Sequence, residues 1–454
     1  MTENDVADWV YEKAAALLGA CANMGEMEKA LDRVTLEARR LALKRLAQEA
    51  ADRQPLECPK CHRALIVEQH RRKRTVTSLY GQVAYSRSYG FCGGCQAYFF
   101  PADATMGLQE RAPASPRVQE ICALTTLRSP AGQAEADVRC LTGLKLGAAT
   151  LHREARRQGE RAIAIRDADE RRTQSSKGIA ELAALAITPQ KPFTLVIEID
   201  AWNIRERDNW GKTKKMLQAG QELGRWHWVY TGTIFRLDQR GKTTSDRPII
   251  TDRGYIATRR GLDSFRRQLY AEALQRGFLK ADTVLVLADG AVWIWNLVAD
   301  RFRDVMQRVD LHHVQQHLWN LANELHGQGT AAAQEWVRPF LQWLEKRKDG
   351  ALDVINSLSQ LRQTLKNITQ NQRQAIDREI NYFQEHKHRM DYKAGKALGQ
   401  PVGSGAIEST CSQYQRRFKL TGQFWTLDGD EAFIALSTLH RNGHWHKLFP
   451  HDSG

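Results

Sequence analysis

Three features of the sequence predict a multidomain α+β protein. Two CxxC pairs, Cys58–Cys61 and Cys92–Cys95, bracket a strand-rich stretch. Two near-continuous apolar runs, 193–199 and 283–287, lead into Asp200 and Asp289. Segments with helical spacing stand before, between and after these features. The chain of 454 residues has room for about two to four domains at roughly 100–200 residues each.

Composition narrows the function classes. Hydrophobic residues make up 42%, too many for a disordered chain. No apolar run approaches the roughly 20 residues of a membrane helix. Met1-Thr2-Glu3-Asn4-Asp5 is acidic and lacks the apolar core of a secretory signal, so a cytoplasmic protein is expected. That compartment disfavours disulfides and turns paired cysteines toward metal. Lys plus Arg number 66 against 52 Asp plus Glu, a formal charge of +14, with a pI near 9.4. A chain this basic favours a polyanionic partner, most simply nucleic acid.

Residues 5–52 read as helices, with Val34, Leu36, Leu41, Leu43, Leu46 and Ala47 as a loose apolar stripe. Pro55 and Pro59 break the pattern. Cys58-Pro-Lys-Cys61 and Cys92-Gly-Gly-Cys95 stand thirty residues apart around strands from Thr75 to Tyr89, with Gly81 available for a turn. Each CxxC places two thiolates on one tight turn, and two such pairs complete a closed, structural four-cysteine zinc site. Cys21, Cys122, Cys140 and Cys411 have no motif partner and read as core thiols. Arg71-Arg72-Lys73-Arg74 makes the ribbon strand basic, either a phosphate-contact surface or a charged sheet edge.

Residues 115–161 read as helical. A helix from Gln133 to Thr142, a glycine turn at 143–147 and a basic helix from Ala148 to Gln158 have the outline of a helix-turn-helix. Arg153, Arg156 and Arg157 would then face the DNA major groove, although any helical hairpin shares this outline. The polar stretch 162–190 reads as a linker.

The apolar strands ending at Asp200 and Asp289 carry the chemistry, with a short third strand near Arg308–His313. Ligands of open α/β sheets sit beyond the strand ends. Two carboxylates there can hold hard divalent cations and support phosphoryl transfer; each could instead cap the turn that follows. Residues 314–390 read as a helical insertion, with Trp336 and Trp343 as core residues. Gly403-Ser404-Gly405 then opens a helix with Ser404 at its N-cap. Glu408, Ser412, Gln415, Arg416 and Lys419 share one face of that helix. A carboxylate beside cations suits a metal-and-phosphate site; a solvated mixed-charge face is the other reading.

These blocks resemble the DDE transposases of bacterial insertion sequences, and specifically their Kra group. The matching segments are EIDAW around Asp200, DGAVWIWN from Asp289, DLHHVQQHLW from Asp310, GSGAIES with Glu408, and Lys419-Leu-Thr-Gly-Gln-Phe-Trp425. The resemblance covers about 193–448 well and the N-terminal part in outline. The sequence departs from the pattern with histidines at 386 and 388 and with Gln-Phe before Trp425.

The resemblance implies a ribonuclease H-like core interrupted by the helical insertion. Asp200, Asp289 and Glu408 would form a triad for Mg2+ or Mn2+, beside a structural Zn2+ in the ribbon. It implies cleavage by water and strand transfer by a DNA 3′-hydroxyl. The implied partners are the double-stranded terminal repeats and target DNA, met by a homodimer at the nucleoid, with no membrane. Trp425 would either stack on an extruded base or sit in the core. His313 would either position a phosphate or be structural.

The expected domains are 1–54 helical, 55–104 zinc ribbon, 105–165 helix-turn-helix and 166–190 linker. The core would follow as 191–313 and 397–454 around an insertion at 314–396. A catalytically idle regulator derived from a transposase and a nuclease without strand transfer are the competing readings. The survival of all three acids weighs against the first; sequence does not separate the second.

Overall fold

The computed structural model describes residues 3–18, 22–110, 112–189, 191–207, 213–220, 224–246, 248–365 and 368–450. The chain divides into two compact units, Met1–Gln158 and Gly159–Gly454. It is a mixed α+β protein with many helices, and none of the described helices is long and apolar enough to cross a membrane.

The first unit opens with helices α1 (Glu3–Ala15) and α2 (Met24–Arg53). Asn23 and Glu26 close a capping box on α2, each side chain taking the other's backbone N–H. Of the predicted stripe, Leu36, Leu41 and Leu46 are exposed. Strands β1 (Ile66–Ser78), β2 (Gly81–Cys92) and β3 (Ala97–Phe99) form an antiparallel sheet in that order. Gly81, at φ +101°, turns the β1–β2 hairpin as the sequence suggests, but the strands run well beyond 75–89. Gln48 of α2 binds the Ser86 backbone through both its amide groups, which docks α2 on β2.

A short α3 (Pro101–Thr105) follows, then α4 (Pro116–Arg128), α5 (Ala131–Thr142) and α6 (Ala148–Arg172). Gly143 ends α5 in the left-handed region at φ +71°, where a glycine is favoured. Val118, Cys122, Ala134, Val138, Leu144 and Leu151 form the core shared by α4, α5 and the start of α6.

The expected linker is instead helical: α6 continues to Arg172, and α7 (Ser176–Ala184) follows. Its charge misled the reading, because those charges are paired inside the second unit. Arg166 meets Glu431, Asp167 meets Arg260, and Glu170 accepts from Ser264 and Gln268.

The second unit is built on a mixed five-stranded sheet. Its elements are β4 (Thr194–Glu206), α8 (Thr213–Gln218), β5 (Arg225–Arg236), the small pair β6 (Arg240–Lys242) and β7 (Pro248–Ile250), and β8 (Gly254–Thr258). Then come α9 (Leu262–Gln275), β9 (Thr283–Ala288), α10 (Val292–Arg301) and β10 (Met306–Val309). The order is β10-β9-β4-β5-β8, with β4, β5 and β8 antiparallel and β9 and β10 parallel to β4. The strand ending at Asp200 is longer than expected, since β4 runs on to Glu206 as one arm of a ribbon with β5.

Helices α11 (Leu311–His326), α12 (Ala331–Lys346), α13 (Gly350–Thr364), α14 (Gln370–His386) and α15 (Tyr392–Ala397) then intervene. The chain returns with α16 (Gly405–Phe418) and α17 (Leu427–Arg441). Leu195, Ile197 and Ile199 of β4 share one cluster with α9, α10 and the intervening helices. Glu198 and Asp200 alternate to the other face, where α16 lies.

Candidate functional site

The four sulfurs of Cys58, Cys61, Cys92 and Cys95 all lie within 4.8 Å of one another. Cys58 and Cys95 stand 3.8 Å apart and Cys61 and Cys92 3.5 Å. Tetrahedral zinc with Zn–S bonds near 2.3 Å sets its sulfurs about 3.8 Å apart, so the cluster fits that ion. The two knuckles repeat one geometry. Each puts the residue after its second cysteine in the left-handed region, His62 at φ 58° and Gln96 at φ 50°. Backbone N–H groups of Lys60 and Cys95 point at Cys58 and Cys92, each 3.4 Å from sulfur. Burial opposes ionisation of Cys58, but the amides of Cys61 and Lys60 and the neighbouring thiols bring it down to about 6. Of the cysteines without motif partners, Cys122 and Cys411 are buried, Cys140 is exposed, and Cys21 lies outside the described residues.

In the second unit, three strands deliver carboxylates in a row. Ile199 of β4 pairs with Ala288 of β9, and Val309 of β10 pairs with the same Ala288. Asp200, Asp289 and Asp310 each follow at the next position, on neighbouring strands about 4.8 Å apart. Asp289 closes a turn into α10 by accepting from Ala291 N at 2.9 Å. Asp200 accepts from Ala201 N at 2.6 Å and from the Cys411 thiol at 3.6 Å. Burial, and then the charge of Asp289, raises the pKa of Asp200.

Asp310 does structural work. It caps α11 by accepting from His313 N at 2.9 Å and also accepts from Ser404 N. Burial opposes its charge, yet the bonds from His313 and Ser404 hold it well below the usual carboxylate range. Arg308 reaches Pro401 O and Gln400 Oε1, both at 3.0 Å, so the loop before α16 is tied to β10 and α11.

Glu408 stands exposed in the first turn of α16. Ser404 occupies the N-cap position, but its side chain does not cap the helix; its hydroxyl faces Glu408 Oε1 at 3.5 Å. The orphan amide of Ile407 is taken by buried Glu198, at 2.8 Å. Burial pushes Glu198 up to about 8 against the pull of that amide and of Arg253. Cys411, one turn beyond Glu408, senses the charges of both Asp200 and Glu408. The carboxylates of Asp200, Asp289 and Glu408 are not drawn within 4.8 Å of one another, as the four cysteine sulfurs are.

The remaining candidates divide by environment. His313 stands with Nδ1 3.5 Å from Asp310 Oδ1, and its pKa is raised by Asp310 first and also by Asp289 and Asp200. Arg416 is exposed on α16 and Lys419 is exposed at its C-cap, just past the predicted helical face, with Nζ 5.7 Å from the Trp202 ring centre. Trp425 is only 4% exposed, donates to Phe418 O at 3.0 Å and packs on Phe418 and Phe433. Of its two readings, that packing favours the core.

In the first unit Arg71, Arg72 and Lys73 are exposed on β1. Arg74 is buried in an ion pair with Asp103 and also donates to the carbonyls of Gln109 and Ala112. That placement removes it from a phosphate surface. Arg153 is exposed on α6, Arg156 is half-buried, and Arg157 reaches Glu154 at 3.3 Å.

No family model matches the chain, and no curated protein matches it. Among solved structures it is similar to the Drosophila P element transposase strand transfer complex, at 12% identity and a TM-score of 0.25, over 76% of this chain and 83% of that one. A TM-score that low decides neither fold nor function.

Sequence reasoning passed over Glu198 and Tyr382, and read the buried Cys411 only as a core thiol. Glu198 had a signal, since it stands two residues before Asp200 and shares its face. Cys411, three residues after Glu408, was legible by helical spacing. Tyr382 was not, because it comes from α14. Its ring covers Gly290, where a Cβ would meet Tyr382 Cε2 at 2.6 Å, so a larger residue after Asp289 would have to push that ring aside.

Proposed function

We propose that this chain is a DNA transposase that cuts DNA ends and joins them to a target, with a ribonuclease H-like core in the second unit. One observation carries the proposal. Asp200, inside β4, and Asp289, just past the end of β9, stand at neighbouring positions of adjacent parallel strands, and α16 brings Glu408 to the face that holds Asp200. The strand order β10-β9-β4-β5-β8 supports the same reading.

Asp200, Asp289 and Glu408 would have to draw closer together to share a divalent ion. Asp200 is held partly buried beside the charge of Asp289, and carboxylate oxygens suit Mg2+ or Mn2+. Bound there, the ion would polarise the phosphodiester and stabilise the charge that develops in transfer. The protein's own part is positional. Asp310 and Arg308 fix the loop that starts α16, and Glu198 anchors its first turn from below. The Cys411 thiol orients one oxygen of Asp200. Exposed Arg416 on the same helix and Lys419 at its C-cap would meet phosphates. Water attacking in line gives cleavage, and a 3′-hydroxyl in the same place gives strand transfer. The four-cysteine ribbon, as a zinc site, and the α4–α6 helices would recognise the element ends, and a homodimer would hold two ends together.

The test is excision and strand transfer from a plasmid carrying this gene with its native flanks, with Mg2+ or Mn2+. Asp289→Asn and Glu408→Gln are expected to reduce product by about 10³-fold while leaving duplex binding intact. Full activity in both variants would remove the triad assignment. Nicking without joined product in the wild type would leave a nuclease.

A further inference from the structure

Strand β5 exposes two tryptophans. Trp226 is 61% exposed and Trp228 54%, an uncommon state for the largest apolar side chain. Two residues apart on one strand, they project from the same face. In register they stand opposite Arg205 and Asn203 of β4. The Arg205 guanidinium lies 5.8 Å from the Trp226 ring centre and 4.7 Å from that of Phe424. Tyr230 continues the row and meets Trp293 of α10 edge to face at 5.2 Å. The row therefore leads back to α10, the helix that begins three residues after Asp289.

Spacing and charge say what this surface fits. Alternate side chains on a strand are about 6.7 Å apart, twice the rise per residue. A planar base between two rings needs about 3.4 Å on each side, the same total. Arg205 and Arg225 are exposed on the ribbon, as are Lys214 and Lys215 of α8, which joins its two strands. Among the described residues of the two strands past Asp200 and of α8, Glu206 is the one acid, and it is buried against Arg259. A flat aromatic row with positive charge fits a polyanion whose ring faces are free, which is DNA with unpaired bases. A duplex hides those faces.

Asn203 and Arg205 lie three and five residues along β4 from Asp200, about 10 and 17 Å. The Asp200 side chain points to the opposite face. Past Asp289 and Thr258, however, the sheet narrows to the β4–β5 ribbon, whose β4 edge is bonded by Trp425 at Arg205 and Arg207, so a strand leaving the acids would have to cross nearer Asp200 to reach the other face.

We propose that Trp226 and Trp228, with Arg205, form a stacking platform for unpaired bases of the DNA strand beside the cut. The platform rests on the reading of this chain as a DNA-processing enzyme. Its test uses the full chain, fluorescein-labelled dT20 and a 20-base-pair duplex. The Trp226→Ala/Trp228→Ala double variant should bind dT20 about 30-fold more weakly, with duplex affinity unchanged. The matching Phe double variant should stay within about 3-fold of the wild type, because a ring remains to stack. Asp289→Asn should bind dT20 normally. Equal dT20 binding by wild type and the alanine variant, or none by either, overturns the platform. A change in oligomeric mass without loss of dT20 binding also overturns it, and makes the patch an interface between copies. A wild type that binds dT20 through these tryptophans but processes no DNA sinks the transposase reading and leaves the platform standing.

Discussion

Asp430 shows how far the chain around a site can move a single carboxyl group. It lies in the first turn of α17, buried beside Glu206 and Arg259, with its Oδ2 3.2 Å from Arg259 Nε. Burial first, and then the bond it shares with Glu206, pushes it up to about 9 from an ordinary 3.8. Its folded pKa therefore exceeds its unfolded one. Between about pH 4 and 9 the folded state binds the extra proton, so this group lowers stability as pH rises through that window. Asparagine carries the shared proton's donor permanently. Asp430→Asn should stay within about 1 kcal/mol of the wild type near pH 6 and flatten the fall in Tm toward pH 9. Parallel Tm curves for the two proteins across that range would show that Asp430 is charged in the native state.

At the scale of elements, legibility followed burial. Strands β9 and the first half of β4 were plain because strands buried on both faces read as unbroken apolar runs. The second half of β4 was not, because Asn203 and Arg205 face outward and break the run. The segment after Gln158 reads as polar until its partners are known, and those lie some 90 to 265 residues away in sequence. The same distance hid Tyr382 and the anchoring of Ile407 by Glu198. Trp226 and Trp228 stand exposed on β5, and exposure is a tertiary property that leaves no mark in the sequence.

The knuckles needed no such knowledge, since their spacing is local. They give the element-scale prediction. Protein prepared without chelator should carry about one zinc per chain, lost in Cys58→Ser and Cys92→Ser. Chelation should lower the thermal stability of the wild type and leave those variants unchanged, because metal affinity is folding free energy here. Zinc-free protein with the same Tm as the purified form would show that the four thiols need no ion.

For the whole molecule the question is which of the positive charges a polyanion would meet. Many are consumed inside the fold: Arg74 and Arg87 on Asp103, Arg166 on Glu431, Arg259 on Glu206 and Asp430. Others stand at the surface, among them Arg71 and Lys73 on β1, Arg153 on α6 and Arg416 on α16. Residues adjacent in sequence thus belong to different classes, and salt separates them. Each phosphate contact contributes about 0.9 to the slope of log affinity against log salt. The Arg71→Ala/Lys73→Ala variant should make that slope for duplex DNA shallower by up to about 1.8 while leaving Tm nearly unchanged. Arg74→Ala should do the reverse. It strips a buried partner from Asp103, so it should lower stability by about 3 kcal/mol with little change in slope among molecules still folded. The measurement is duplex affinity from about 50 to 200 mM salt beside a thermal melt of each variant. If Arg74→Ala flattened the slope as much as the double variant, its guanidinium would be reaching DNA and the buried ion pair would not persist on binding.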